Sequence, residues 1–448
     1  PDWYKKGMPV ISIENYATTG GTEKEQFRHS LRQIEKIESE YCRKVGPCVF
    51  FWTGWEHDGA WVSPELWPPI EGEESFRKAV DQTHDLGAKV EVYFSTVLYI
   101  VKQGKSSSFL QKEGLPAAVL CEDNNKNRYT RWWGQSTAMC LGSDWWKSRL
   151  IDTIEAMAER GIDMLQLDMF PINAPWPCCD PNQKHSLGYG LWHMKVGIDI
   201  IRACRAAARK INPSIVISTE MPCETYIPFI DAYLSRDDWR DLEAPEKRSE
   251  YTLIPLFSFV YHENMITQGY EWSMNALPSI TGTIALQYVR GKIPSVFEGY
   301  GAWDPKWEPP PAAERASNRE KALRLLKFTS KAAGGFGNRI IYGGRIEITP
   351  TVKFKTESGI QILDYNSTNP AVGAFSTTDS SELLILQGND TNGVLIIELN
   401  DRFLCSRRCL TVWKNGTIET SYVIDDDYQL EYPVKGYDVL IFRFTKEQ

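Results

Sequence analysis

The 448-residue sequence predicts an α/β fold: a (β/α)8 barrel over residues 1–336, followed by an antiparallel β-sandwich over 337–448. Three observations predict it. Short β-branched runs alternate with helical patterns of about 10–20 residues, which implies a parallel sheet. Repetition of that unit over some three-quarters of the chain fits a closed barrel better than an open sheet. After residue 337 the helical spacing stops, and short apolar runs separated by Gly, Asn and Asp turns take over.

The elements follow in order. Pro9–Ile13 reads as the first strand and ends at Glu14-Asn15; a charged helical stretch covers Thr22 to Glu40. Pro47–Trp52 is the second strand, and helix Glu74–Asp85 stops at Leu86-Gly87, a C-cap signal. Lys89–Phe94 is the third strand. The segment from Ser95 to Leu141 carries little periodicity, and loops of that length in compact domains are usually functional or insertions. Ser143 or Asp144 caps a helix over Trp145–Arg160, and Asp163–Leu167 is the fourth strand, with Asp168 at its end. An irregular loop over Pro171–Tyr189 precedes helix Leu191–Lys210, whose apolar face (Val196, Ile200, Ile201, Cys204, Ala207, Ala208) has helical spacing. Pro213–Ser218 is the fifth strand, reaching Thr219-Glu220. Phe229–Leu234, Leu256–Tyr261 and Ile293–Phe297 are read as strands six to eight, and helix Asn318–Ala333 closes the barrel. In the tail, strands are expected at Arg345–Val352, Gly359–Leu363, Glu382–Gln387, Gly393–Glu398, Cys409–Trp413 and Val439–Phe444.

Composition narrows the function classes. The net charge of −8, with no basic stripe, argues against a nucleic-acid partner. The longest apolar runs, such as Ile254–Tyr261, are too short to span a bilayer, so no membrane partner is expected. The first residues are Pro1-Asp2-Trp3. A removed export signal, a trimmed chain or an excised domain would each explain that start, and an extracellular or periplasmic location is expected. Ten cysteines are too sparse for a disulfide scaffold; Cys178, Cys179, Cys405 and Cys409 could each join a bridge, but free buried thiols are the simpler reading. No paired CxxC appears, so no structural zinc is expected. Sequons at Asn366, Asn389 and Asn415 matter only in a chain secreted by a eukaryote. The aromatic content is high, with 16 Trp, 20 Tyr and 18 Phe, and many Trp stand in polar, loop-like contexts, where an aromatic face could stack on a sugar.

The residues that carry chemistry follow from the fold. Side chains at the C-terminal ends of barrel strands converge on one site. Here those positions hold Glu14, Asp168, Glu220, Asp237 or Asp238, and His262-Glu263. The set is rich in carboxylates and lacks H-E-x-x-H, G-x-S-x-G and any nucleotide-binding glycine motif. Carboxylates lined by aromatics suit glycosidic hydrolysis, which needs one carboxyl protonated and another ionised around the scissile bond. Asp168 shares a strand face with Met164 and Gln166, and Glu220 ends the adjacent strand. Either carboxylate could instead cap a turn. Glu224, four residues beyond Glu220, competes with it and could equally be a solvated loop residue. Arg236 could orient a carboxylate or make a surface pair. His185 and His262 could touch substrate or merely satisfy backbone. Trp52 and Trp133 are candidate sugar platforms, with packing as the alternative. A carbohydrate is the expected partner, with no cofactor and no metal.

Several stretches together resemble a group of bacterial barrel glycosidases. They are Met139-Cys140-Leu141, Trp145, Gly161 to Asp168, Cys179-Asp180-Pro181, His185, Gly188-Tyr189-Gly190, Ser218-Thr219-Glu220 and Glu224. That group is similar to the endo-α-N-acetylgalactosaminidases and, more distantly, to the α-amylase superfamily. The resemblance covers about residues 5–335. It implies an Asp nucleophile ending strand four and a Glu acid/base ending strand five, positions matched here by Asp168 and Glu220. It also implies an α-linked substrate and retention of anomeric configuration. The loop CCDPNQKHSLGYG departs from the family pattern at Gln183 and Ser186. Two other readings stand beside this one. One is an α-galactosidase-type barrel with Asp237 or Asp238 as acid/base after strand six. The other is a sugar-binding barrel without catalysis.

Overall fold

The computed structural model describes residues 1–448 except 16–29, 57–67, 101–113, 121–129, 132–135, 171–175, 221, 236–255, 262–263, 270–271, 274–279, 299–311, 332–343, 346–349, 365–366, 368, 377–378, 425–428 and 447–448. The barrel strands are β1 (Val10–Glu14), β2 (Val49–Thr53), β3 (Lys89–Ser95), β4 (Met164–Asp168), β5 (Val216–Glu220), β6 (Ala232–Leu234), β7 (Ile266–Gln268), β8 (Trp272–Ser273) and β9 (Ser295–Phe297). They form one sheet in the order β7-β6-β5-β4-β3-β2-β1-β9-β8. The pairs β2–β3, β3–β4, β4–β5, β5–β6 and β8–β9 are parallel. A parallel bridge between Gln268 and Ile293 carries the sheet from β7 towards the approach to β9. Since β7 and β8 both pair along the run 293–297, the nine segments make the eight strands of the expected (β/α)8 barrel, nearly closed. Strands β1, β2, β4 and β5 are buried at every residue, as a parallel sheet covered on both faces requires.

The helices are α1 (Leu31–Lys44), α2 (Glu73–Asp85), α3 (Asp144–Glu159), α4 (Trp192–Ile211), α5 (Leu256–Tyr261), α6 (Ile280–Val289) and α7 (Ala312–Lys331). Ser143 caps α3, its hydroxyl accepting from the Trp146 amide at 3.4 Å. Leu256–Tyr261, expected as the seventh strand, is instead the helix α5, and the strand is Ile266–Gln268. Leu256 and Val260, four residues apart, are exposed on one face, while the Phe257 and Tyr261 rings meet at 5.0 Å. A run of six residues, five of them apolar, is too short to establish a period, so it alone could not separate helix from strand.

Trp52 is also corrected: it is not a sugar platform. It points outward from β2 and is fully buried, with its indole N–H donating to Glu38 Oε1 at 2.9 Å and its ring edge-on to Phe76 at 5.5 Å. Tryptophan burial demands a partner for the ring N–H, and Glu38 supplies it. The Thr83 hydroxyl donates to the same carboxyl at 2.6 Å. Burial nevertheless pushes the Glu38 carboxyl up to about 7, ahead of the lowering by those two hydrogen bonds.

The chain folds as two compact units. One comprises Pro1, Ser12–Glu40 and Val49–Leu234; the other comprises Asp2–Ile11, Tyr41–Cys48 and Ser235–Gln448. The main division therefore falls at 234/235, whereas the sequence suggests 336/337. Packing inside the second unit explains this. Helix α6 is buried at all ten residues and lies against the strands that follow it. Those strands are β10 (Gly344–Arg345), β11 (Thr351–Thr356), β12 (Gly359–Leu363), β13 (Ala371–Ser376), β14 (Ser380–Leu386), β15 (Gly393–Glu398), β16 (Cys409–Lys414), β17 (Thr417–Val423), β18 (Gln429–Val434) and β19 (Val439–Thr445). They make two antiparallel sheets, β10-β13-β14-β19-β16-β17 and β12-β11-β15-β18. The two sheets share one apolar core that includes Val352, Phe354, Leu383, Leu395, Leu440 and Phe442, which makes the expected β-sandwich. Strand β13, AVGAFS, reads as loop in sequence because small residues replace the usual β-formers. Its Gly373 lies so close to α6 that a Cβ would sit 2.2 Å from the Val289 carbonyl oxygen.

This packing is open to test at two points. Gly373→Ala should destabilise the chain by roughly 1–3 kcal/mol through overpacking against backbone; an unchanged midpoint in urea unfolding would refute the close approach. The second point is Glu38. Its folded pKa, about 7, lies above the ordinary value of 4.5. Its contribution to stability is therefore present in full below that ordinary value and is lost as pH rises through about 7, a change on the order of 3 kcal/mol. Glu38→Gln should flatten that part of the pH–stability curve, and parallel curves for variant and wild type would rule the assignment out.

Candidate active site

Strand register builds the site, and every residue described in it lies within the first compact unit. On β3, β4 and β5 the inward faces stack in layers. Glu91 pairs with Met164, and Met164 with Val216; Tyr93 pairs with Gln166, and Gln166 with Ser218. One layer further towards the C-terminal ends, Ser95 pairs with Asp168. The last β4–β5 pair is Leu167 with Thr219, so Asp168 and Glu220 stand next in the same register, on neighbouring strands and on the same face. Asp168 is 8% exposed and Glu220 5%.

The turn after β4 is tightly held. Met169 adopts a left-handed backbone, φ 60°, a strained state for a residue with a Cβ. The Thr96 hydroxyl donates to the Asp168 carbonyl at 2.7 Å. The Thr219 hydroxyl bridges the carbonyls of Leu167, at 2.8 Å, and Phe170. These bonds over-determine the turn and fix the backbone of Asp168.

Tyr93 ties the carboxylates together. Its hydroxyl donates to Asp168 Oδ2 at 2.6 Å. Burial pushes the phenol well above its usual range, and after burial the causes are the Asp168 charge, the hydrogen bond to it, and the charges of Glu220 and Glu56. The Tyr93 hydroxyl therefore lies within the field of all three carboxyl groups. Glu56 follows β2 and is 1% exposed, and neither of its oxygens has a side-chain partner among the described residues. Burial pushes its carboxyl up to about 8, partly offset by its own backbone amide, so it is predominantly protonated at neutral pH. Deeper in the barrel, the Ser218 hydroxyl lies 2.5 Å from Gln166 Oε1 and 3.3 Å from Glu91 Oε1. The arrangement can hold one carboxylate rigidly beside a second carboxyl, both of them buried.

Of the residues expected from the sequence, Asp168 and Glu220 come together. Glu14 ends β1 and is buried, with the next residue, Asn15, donating its amide to the Thr53 carbonyl at the end of β2. Glu224 lies in a short 3-10 turn and is exposed. His185 is engaged by its own loop and by the loop before α3: Nδ1 lies 2.9 Å from the Ser186 carbonyl oxygen and Nε2 3.1 Å from Cys140 Sγ. Its ring stacks on Trp192 at 3.9 Å. Trp133, Arg236, Asp237, Asp238, His262 and Glu263 lie outside the described residues. Tyr93, Glu56 and Glu91 escape the sequence reading. A mid-strand tyrosine looks like core, though Glu91, inside KVEVYF, is a buried-strand carboxylate that alternation could have flagged.

Comparison with known proteins bears on the fold. The described fold is similar to a noncanonic maltogenic α-amylase, AmyB, from Thermotoga neapolitana, with 13% identity, 99% of each chain covered and a TM-score of 0.62. It is also similar to the α-N-acetylgalactosaminidase NagBb from Bifidobacterium bifidum, with 13% identity, TM-score 0.59, and coverage of 85% of this chain and 56% of that one. A Monosiga brevicollis protein provisionally named glycoside hydrolase 22789 is 25% identical over 118 residues, which span 26% of this chain but only 9% of that protein. Residues 1–272, more than half of the 448, match the family DUF6259, described as a domain of unknown function, and the chain belongs to that family.

Proposed function

We propose that this chain is a retaining α-glycosidase in which Asp168 is the nucleophile and Glu220 the general acid/base. The observation that carries the reading is the strand register: Asp168 and Glu220 stand at neighbouring strand ends on the same face, with the Tyr93 hydroxyl bonded to Asp168 at 2.6 Å. Both carboxyl groups therefore face one small volume at the mouth of the barrel. Adjacent parallel strands lie about 4.8 Å apart, and retaining glycosidases hold their two carboxyl groups about 5–5.5 Å apart. The names of the structural neighbours, an α-amylase and an α-N-acetylgalactosaminidase, point to the same class of substrate, an α-linked sugar.

The steps follow from placement. Tyr93 holds one oxygen of Asp168 and aims the other at the anomeric carbon. That oxygen attacks as the bond to the leaving oxygen breaks, and the Glu220 carboxyl delivers its proton to the departing group. Glu220, now a carboxylate, takes a proton from water. The hydroxide equivalent displaces Asp168 from the anomeric carbon and regenerates both groups with net retention. Glu56, protonated at neutral pH, adds no third negative charge beside the two working carboxyls.

Three measurements test this. With nitrophenyl α-glycosides of glucose, galactose and N-acetylgalactosamine, Asp168→Asn should abolish turnover. Glu220→Gln should lower kcat/KM by roughly 10²–10⁴-fold, most severely for poor leaving groups. A 2-fluoro glycosyl fluoride should label Asp168, read by peptide mass spectrometry; a label on another carboxylate, or inversion of the product anomer by NMR, would sink the assignment. If Glu56→Gln rather than Glu220→Gln carried the leaving-group effect, Glu56 would be the acid. Tyr93→Phe removes one hydrogen bond to a charged group and should lower kcat roughly 10- to 100-fold with little change in KM. A change in KM alone would count against a positioning role.

A further inference from the structure

Away from the carboxylates, one cluster has the composition of a metal centre. Cys140 Sγ, Cys178 Sγ and a ring nitrogen of His185 all lie within 4.8 Å of one another. Both cysteines are buried and the histidine is half-buried. The three come from two loops, one preceding α3 and one preceding α4, and their spacing matches no metal motif, since Cys140 and His185 are 45 residues apart. No local pattern in the chain therefore announces the cluster.

We propose that Cys140, Cys178 and His185 bind one zinc ion, with the Gln183 side-chain oxygen as the fourth donor, and that the ion staples the two loops together. Four observations on the geometry carry the proposal. His185 Nδ1 lies 2.9 Å from the Ser186 carbonyl oxygen, which fixes the proton on Nδ1 and leaves Nε2 bare, facing Cys140 Sγ at 3.1 Å. Gln183 donates its amide to the carbonyls of Pro116 and Ala118, at 3.1 and 3.3 Å, which turns its oxygen towards the cluster. That oxygen lies 3.3 Å from His185 Nε2 and 3.7 Å from Cys178 Sγ. Finally, Gly142 clears the way for the imidazole: a Cβ there would stand 2.3 Å from His185 Cδ2.

Two soft sulfur donors, an imidazole and one oxygen form a tetrahedral set suited to zinc. Zn–S bonds of about 2.3 Å and Zn–N bonds of about 2.0 Å separate sulfur and nitrogen by about 3.5 Å. The Cys140–His185 gap therefore has to open by only a few tenths of an ångström. Binding releases both thiol protons, so the site holds two thiolates around the ion.

The test is metal analysis of the full chain, grown with zinc and purified without chelator or reductant. The wild type should carry about one zinc per chain. Cys140→Ser and Cys178→Ser should each lose it, while Cys405→Ser, which changes an exposed thiol outside the cluster, should keep it. Because a variant that misfolds also loses metal, the wild type is tested on its own as well: exchanged into cobalt, it should show thiolate-to-cobalt absorption, which added zinc removes. A wild type that neither retains zinc nor takes up zinc or cobalt overturns the proposal, as does a peptide map showing a Cys140–Cys178 disulfide.

Discussion

The register between three adjacent parallel strands is the constraint on which the site depends. Glu91, Tyr93 and Ser95 share a face of β3 because side chains alternate. The pairs Tyr93–Gln166 and Gln166–Ser218 carry that face across β4 and β5. A slip of one residue would turn Asp168 or Glu220 outward into the helical layer, where Leu167 and Thr219 now point. The buried apolar residues between them, Leu165, Leu167 and Ile217, resist such a slip, because each would then face the polar interior. Core packing and placement of the carboxylates are thus one property of the sheet.

The two ends of the barrel handle buried acid groups in opposite ways. At the start of β4, Asp163 accepts from Lys89 Nζ at 2.8 Å, lies 2.7 Å from His84 Nε2, and takes the Val90 amide at 3.0 Å. Before β6, Asp231 likewise meets Arg205, Arg209 and the Ile217 amide. Cations and backbone amides satisfy these carboxylates, which leaves them little capacity for substrate. At the other end, Asp168 is held by a phenol, and Glu56 has only its own amide among the described residues. On the proposed function, the Asp168 carboxylate, held by a phenol, would meet the positive charge that develops on the sugar. One strand, β4, marks both kinds: Asp163, just before it, ties the fold together, and Asp168, at its end, faces the cavity.

Strand ends were legible in the sequence, and what faces between strands was not. Asp168 and Glu220 stood out because a carboxylate closing a strand has few structural uses in a barrel. Tyr93 did not, since an aromatic inside KVEVYF reads as core until the register with Gln166 shows which way it points. Trp52 misled for the same reason in reverse: an aromatic closing the strand Pro47–Trp52 suggested a platform at the barrel mouth, yet Phe51 and Thr53 take the inward face and leave Trp52 against the helices. Glu38, which satisfies that indole, lies 14 residues away in sequence and offered no local signal. The run Leu256–Tyr261 failed because six residues, five of them apolar, are compatible with either periodicity. Contacts assembled from separate loops, such as Cys140 with His185, are invisible to any spacing rule.

This division has a consequence for specificity. The layers of β3, β4 and β5 hold the reacting groups through backbone register, which tolerates wide changes of sequence, and at 13% identity the fold is still shared with an α-amylase and an α-N-acetylgalactosaminidase. The loops after β3 and β4 are fixed by different means. The Cys140 amide donates to the Ala117 carbonyl, the Cys179 amide to Leu120, and Gln183 reaches back to Pro116 and Ala118. The Cys179 and Gln183 bonds join the two loops to one another, the Cys140 bond closes the first loop on itself, and none involves a barrel strand, so the loops can be remodelled as a pair while the carboxylate layer below stays in place. If the chain is the glycosidase proposed above, register would set the chemistry and the paired loops the choice of sugar.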